Sequence, residues 1–212
     1  KGAVYVVDAV NDRLLQFDSR GTFVAEIRQS GGETLSRPLS ARADAAGRLW
    51  VADTGHARVL VRSTDGGLER VLEPWREAGM AAQSRGHATL PDITDVLPVS
   101  DGRRAWVVDN DHHRLALMDL EKGAPSVVGA EGEALGQFQH PFKLALGKGG
   151  DLLVVDVINA RVQVLTAEGR PAGSIGGYGA ELGQLYRPTA LATDREGNVW
   201  IADAVLGVIQ VF

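Results

Sequence analysis

The chain has 212 residues, 44% of them hydrophobic, with 22 basic against 27 acidic residues and a net charge of −5. That balance contains no long run of either sign and leaves no electrostatic footprint for nonspecific grip on phosphate backbones. Cysteine is absent, which excludes disulfides and thiolate metal sites, and no apolar run approaches the roughly 20 residues of a membrane-spanning helix.

The first residues, Lys1-Gly2, lead straight into a strand, so further covalently linked sequence is expected. The sequence assigns no compartment: an extracytoplasmic or cell-envelope location is compatible with it, and the cytoplasm is not excluded. One phrase is then written five times: an apolar strand ending in aspartate, a polar turn, and a strand that opens on arginine. The anchors Asp8, Asp53, Asp109, Asp156 and Asp203 are spaced 45, 56, 47 and 47 residues apart. A period of that size marks a repeat architecture in one domain.

In chain order, the first copy (about residues 1–30) supplies three strands, at 4–7, 14–17 and 23–27. The second runs over 38–72 from Pro38, and residues 73–90 form an insertion. The third copy occupies 91–128 and the fourth 141–175. The fourth is complete: a strand at 141–146, the turn Gly147-Lys148-Gly149-Gly150, strands at 152–155 and 161–165, a second turn, and a strand at 172–175. A glycine-rich loop then reaches Pro188, and the fifth copy (188–212) supplies three strands.

No helical periodicity competes with this pattern, so the chain is all-β. The second strands are nearly continuous apolar runs, whereas a strand wetted on one face would alternate. Both faces are therefore expected to be covered, as in four-stranded antiparallel sheets standing radially as the blades of a β-propeller. Tyr5, Trp50, Trp106 and Trp200, each three residues before an anchor aspartate, are expected to be wedges between blades. About five blades are represented, the first and last incomplete.

The pairs Asp8–Arg13, Asp53–Arg58, Asp109–Arg114 and Asp156–Arg161 read as structural staples. A strand-ending aspartate accepts from turn amides, and an arginine five residues on can fork onto it. In the fifth copy Leu206 and Val208 replace the polar partners, so the turn at 204–207 is expected to lack its clamp.

The five histidines, His56, His87, His112, His113 and His140, all fall in turns or loops that a propeller gathers on one face. Zinc needs such convergence, but polar turn residues around a wide rim are the simpler reading. His112, Asp92 and Asp95 form an alternative metal set, the two carboxylates near a channel mouth supplying oxygen ligands, where Lys143 also lies. No catalytic residue and no cofactor is assigned. Long connections are disproportionately functional, and tryptophan and arginine favour desolvated interfaces. Trp75 and Arg76 in the insertion, with Asn11, His56, His112 and Asn159 around the rim, are therefore the candidate contacts for a protein or peptide partner. The alternative function is a metal-dependent lyase or hydrolase at the channel mouth.

The fourth copy, with Pro141, Asp156, Asn159, Arg161-Val162-Gln163-Val164 and the flanking Leu135-Gly136-Gln137-Phe138 and Leu182-Gly183-Gln184-Leu185, resembles the NHL repeat. The resemblance covers essentially the whole chain and implies a propeller that in that family is most often six-bladed. Some propellers of the family grip RNA on a basic face; here Arg37, Arg85, Arg103, Arg104 and Arg187 lack interleaved aromatics, and RNA ranks below a protein partner. Propellers of this type also include the peptidyl-hydroxyglycine amidating lyase, which holds zinc with histidines directly after the repeat proline. Those positions here are Leu39, Asp92, Phe142 and Thr189, so that ligand set is not reproduced.

Overall fold

The computed structural model describes residues 2–79, 90–99 and 102–212. Its strands follow the apolar runs. The first sheet contains β1 (Val4–Asp8), β2 (Arg13–Phe17) and β3 (Phe23–Ile27), followed by a two-stranded ribbon of β4 (Gln29–Ser30) and β5 (Glu33–Thr34). The second contains β6 (Pro38–Ala43), β7 (Leu49–Asp53), β8 (Arg58–Arg62) and β9 (Leu68–Leu72), and the third β10 (Ile93–Val99), β11 (Arg104–Asp109), β12 (Arg114–Asp119) and β13 (Gly123–Val128). The fourth contains β14 (Pro141–Leu146), β15 (Leu152–Asp156), β16 (Arg161–Leu165) and β17 (Pro171–Gly176), and the last β18 (Pro188–Thr193), β19 (Val199–Asp203) and β20 (Val208–Val211). In every sheet the strands lie side by side in sequence order. Register places three of the staple aspartates directly across from their arginines: Asp8↔Arg13, Asp53↔Arg58 and Asp156↔Arg161.

The residues group into two compact units: Lys1–Val107 with Leu117–Ser126, and Val108–Ala116 with Val127–Phe212. In the first unit, Leu14 and Ile27 pack with Leu49, Val51 and Leu60 of the second sheet. The other face of that sheet carries Trp50, Ala52, Val59 and Val61, and is covered by Ile93 and Val96 of β10 and Ala105 and Val107 of β11. Trp50 is 0% and Trp106 1% exposed, as expected of wedges. In the second unit, Leu153, Val155 and Val162 pack against Leu185, Val199 and Ile201. Both faces of these middle sheets are dry, which is why their central strands need not alternate.

Trp200 departs from the expectation. It is 44% exposed, and Ile209 and Val211 are exposed beside it. Register pairs Trp200 with Val211 and Ala202 with Ile209, just as Trp50 pairs with Val61 and Ala52 with Val59. The face is thus the same face, but no sheet among the described residues covers it. Its indole is still anchored: Nε1–H donates to Asp194 at 3.0 Å, as Trp50 Nε1–H does to Asp44 at 2.9 Å.

Two features escaped the all-strand reading. The ribbon β4–β5 is one. The other is a single helical turn, α1 (Pro74–Glu77), in the insertion. Proline at its first position is preorganised for a helix. The Glu77 carboxylate reaches back to accept from the Glu73 backbone N–H at 2.9 Å, one half of a capping box. Residues such as Arg85 and His87 lie outside the described residues.

Asp156 is fully buried and accepts from the Gln139 backbone N–H at 2.7 Å, Asn159 Nδ2 at 2.9 Å, Arg161 Nε at 2.9 Å and Gln163 Nε2 at 3.1 Å. Asp156→Ala strands those donors and a mostly buried guanidinium, and should cost about 3–5 kcal/mol in chemical denaturation. Asp194 is a different case: Trp200 and Asn198 side chains lower its pKa to about 2. A depressed folded value stabilises the charged form above the ordinary unfolded value of roughly 3.9, and that contribution is lost as pH falls through the folded value. Trp200→Phe should therefore raise the Asp194 pKa towards the ordinary range in a carboxylate-detected NMR titration.

Candidate functional site

Each second strand ends on a carboxylate whose acceptors the following turn fills. Asp8 accepts from Asn11 Nδ2 at 2.9 Å and Arg13 Nε at 2.8 Å. Asp53 takes the Ser36 backbone N–H at 2.7 Å, Arg58 Nε at 2.7 Å and His56 Nδ1 at 2.9 Å. Asp109 is met by His112 Nδ1 at 3.0 Å and by Arg114 Nε at 3.0 Å. The position three residues after the aspartate is therefore a donor onto the staple, whether asparagine or histidine. The rim residues expected to face a partner, Asn11, His56, His112 and Asn159, all turn a polar atom back onto their own aspartate.

The fifth copy corrects the sequence reading of an unclamped turn. Asp203 is 2% exposed and accepts four backbone N–H groups: Tyr186 at 2.6 Å, Arg187 at 2.9 Å, Val205 at 3.1 Å and Leu206 at 3.0 Å. Burial alone would raise its pKa, yet these amides hold it below the ordinary carboxylate value. Main-chain donors replace the missing side chains because a buried carboxylate must be satisfied by something.

Trp75 is also corrected. It is 2% exposed: a large indole on a single helical turn is sequestered within the chain rather than presented to a partner, as apolar burial favours. Arg76 beside it is exposed and pairs with Glu73 at 2.6 Å.

The alternative metal ligands have other partners. Asp95 is buried and held by Arg42 through Nη2 at 2.7 Å and Nε at 3.3 Å, and by the Ser40 hydroxyl. Asp92 accepts from Arg37 Nη2 at 2.6 Å. Among the described residues no group of three or more histidine and carboxylate side chains is arranged to hold a metal ion. No helix among them is long and apolar enough to cross a membrane.

The chemistry left open lies in the second unit. A cavity of about 340 Å³ is lined by Asn110, His140, Phe142, Val157, Ile158, Arg187 and Thr189. These residues come from the turn after β11, both sides of the prolines that open β14 and β18, and the turn after β15. Its walls combine an apolar patch (Phe142, Val157 and Ile158) with a few convergent polar groups, the usual make-up of a ligand pocket.

Hydrogen bonds fix the imidazoles here. Asn110 Nδ2 donates to the Pro141 carbonyl at 2.8 Å, which turns Asn110 Oδ1 towards His140 Nδ1 at 3.0 Å. In the neutral ring His140 Nδ1 is therefore the donor nitrogen and Nε2 the acceptor. The His140 backbone N–H donates to His113 Nδ1 at 3.1 Å, and the two rings meet edge to face at 4.8 Å. Burial and then the neighbouring His140 lower the His113 pKa, consistent with its role as an acceptor. Arg187 has an exposed side chain with no carboxylate in ion-pair range among the described residues, unlike Arg37 at the equivalent position before Pro38.

A second, more polar groove of about 590 Å³ adjoins this cavity, sharing Ile158 and lined also by Glu133, Gln139, Asn159, Arg161 and Tyr178. Of the rim candidates, Asn159 is the one that lines it. In the sequence His140, Phe142, Arg187 and Thr189 stand apart. Their common signal is that each flanks a repeat proline, one repeat apart.

No protein-family model matches the chain, and no curated protein matches it. Among solved structures, it is similar to a streptogramin B lyase at 15% identity, TM-score 0.65, covering 100% of this chain and 65% of that one. A catalytically inactive histidine-to-alanine variant of virginiamycin B lyase from Staphylococcus aureus, with quinupristin, matches at 15% identity and TM-score 0.66, covering 99% of this chain and 66% of that one. An auxiliary nutrient binding protein from Bacteroides ovatus matches at 15% identity and TM-score 0.66, covering 99% of this chain and 65% of that one. The chain thus spans just under two thirds of the length of these structures. Such identities establish the fold alone: an all-β propeller with five blades represented, most of four antiparallel strands.

Proposed function

We propose that this chain is a binding module that takes an extended peptide on the loop side of its second unit. The observation that carries the reading is the pair of adjoining recesses sharing Ile158, one polar and about 590 Å³, the other part apolar and about 340 Å³. A compact ligand would need only one of them. A peptide can lay polar backbone along the groove and a side chain into the cavity. The NHL-like repeat supports a propeller of that family presenting loops on a rigid scaffold, where specificity resides in the loops. The uncovered Trp200 face, identical in register to the covered Trp50 face, supports the expectation of one more blade in a six-bladed ring.

A second, enzymatic reading draws on one observation, the contact of His140 Nδ1 with Asn110 Oδ1 at 3.0 Å, which in the neutral ring leaves Nε2 as the acceptor. A lyase or hydrolase would use that nitrogen as a general base, and two of the similar structures are lyases. It requires no ligand from His112, Asp92 or Asp95.

One experiment tests the binding reading and separates the two. A pool of random hexapeptides is passed over the immobilised chain, and the retained species are read by mass spectrometry. Intact retained peptides that lose at least tenfold in affinity to Ile158→Glu support the binding module. Peptides recovered as fragments or altered in mass favour the enzyme. No retained peptide, or unchanged affinity for Ile158→Glu, overturns the peptide site.

A further inference from the structure

Resting on that peptide-binding reading, we infer that the cavity recognises the C-terminal end of its ligand: a free carboxylate on an apolar last residue. Three groups around one cavity define the complement. Arg187 presents a guanidinium with no carboxylate in ion-pair range among the described residues. Other arginines beside the repeat turns are already spent: Arg13, Arg58 and Arg161 on staples and Arg37 on Asp92. A planar guanidinium suits bidentate capture of a carboxylate. No Asp or Glu lines this cavity, so an anion meets no like charge on its walls.

His140 supplies the second element. With Nδ1–H committed to Asn110 Oδ1 at 3.0 Å, its Nε2 is an acceptor, suited to a ligand N–H. Phe142, Val157 and Ile158 supply the third, an apolar wall for a side chain. A carboxylate, an amide N–H and an apolar side chain on neighbouring atoms are what the last residue of a peptide offers. The polar groove beyond Ile158 then receives the residues before it.

The arrangement of Arg187 makes the idea testable without unfolding the protein. Only its backbone N–H serves Asp203, at 2.9 Å, and Arg187→Gln keeps that bond. Arg195, exposed in the turn beyond the far end of β18, serves as a control of equal charge change. A hexapeptide retained in the selection would be synthesised as the free acid and as the C-terminal amide, and both titrated by fluorescence anisotropy. The acid should bind roughly tenfold to a hundredfold more tightly than the amide, the range of a charge-assisted hydrogen-bonded contact. Arg187→Gln should abolish that preference while Arg195→Gln retains it. Equal affinity of the two forms, or a preference for the amide, overturns C-terminal recognition while leaving peptide binding intact. A preference that survives Arg187→Gln, or is lost equally in Arg195→Gln, overturns the role of Arg187. Failure of both peptide forms to bind defeats the underlying peptide reading and this inference with it.

Discussion

A carboxylate at the end of each second strand, buried at Asp53, Asp109, Asp156 and Asp203, is the constraint on which the rest of this structure depends. An ionised aspartate carries about four acceptor sites, and removing it from water is tolerable only when those sites are filled. Asp156 and Asp53 draw on a backbone amide from the loop before the first strand, a side chain three residues on and an arginine five residues on. One atom group thereby ties the entry loop, the second strand and the third. Asp203 meets the same demand with four main-chain amides. What recurs is the acceptor; the donors vary with what each turn offers.

That economy determines where the surface is chemically idle and where it is available. Asn11, His56 and His112 look like ligands in a rim of loops, but their nitrogens are turned onto aspartates. The glutamines of the repeat are equally occupied. Gln163 accepts from the Gly136 N–H at 2.9 Å and donates to the Gln137 carbonyl, and Gln210 treats Gly183 and Gln184 alike. The side chain of Gln184 lies close over Gly179, and its Oε1 accepts from the Glu181 backbone N–H at 3.0 Å. Around the cavity, by contrast, His140 spends Nδ1 on Asn110 and Arg187 spends its backbone N–H on Asp203, while the Arg187 guanidinium has no carboxylate in ion-pair range among the described residues.

The apolar ribs follow a parallel logic of neighbours. Trp50 and Trp200 hold the same register position and the same Nε1–H bond to an aspartate. One is dry and the other is 44% exposed, because strands β10 and β11 cover the first face and no sheet among the described residues covers the second. Burial is a property of the pair of sheets, not of the tryptophan.

Sequence by itself determined the repeat, the strands to within a residue or two, and the four Asp/Arg staples. Each of these is local: short apolar runs bounded by turn residues and a fixed spacing of five across a turn leave little conformational choice. The helical turn at Pro74–Glu77 and the β4–β5 ribbon are too short to carry a period, and went unread. Only the tertiary structure decided that Trp75 faces inward, that Asp203 is clamped by amides, and that Asn110 selects the tautomer of His140. It alone assembled His140, Phe142, Arg187 and Thr189, which lie a repeat apart in the chain and meet because consecutive sheets stack. Which donor answers which acceptor depends on rotamers and on neighbours distant in sequence, and no local pattern encodes either.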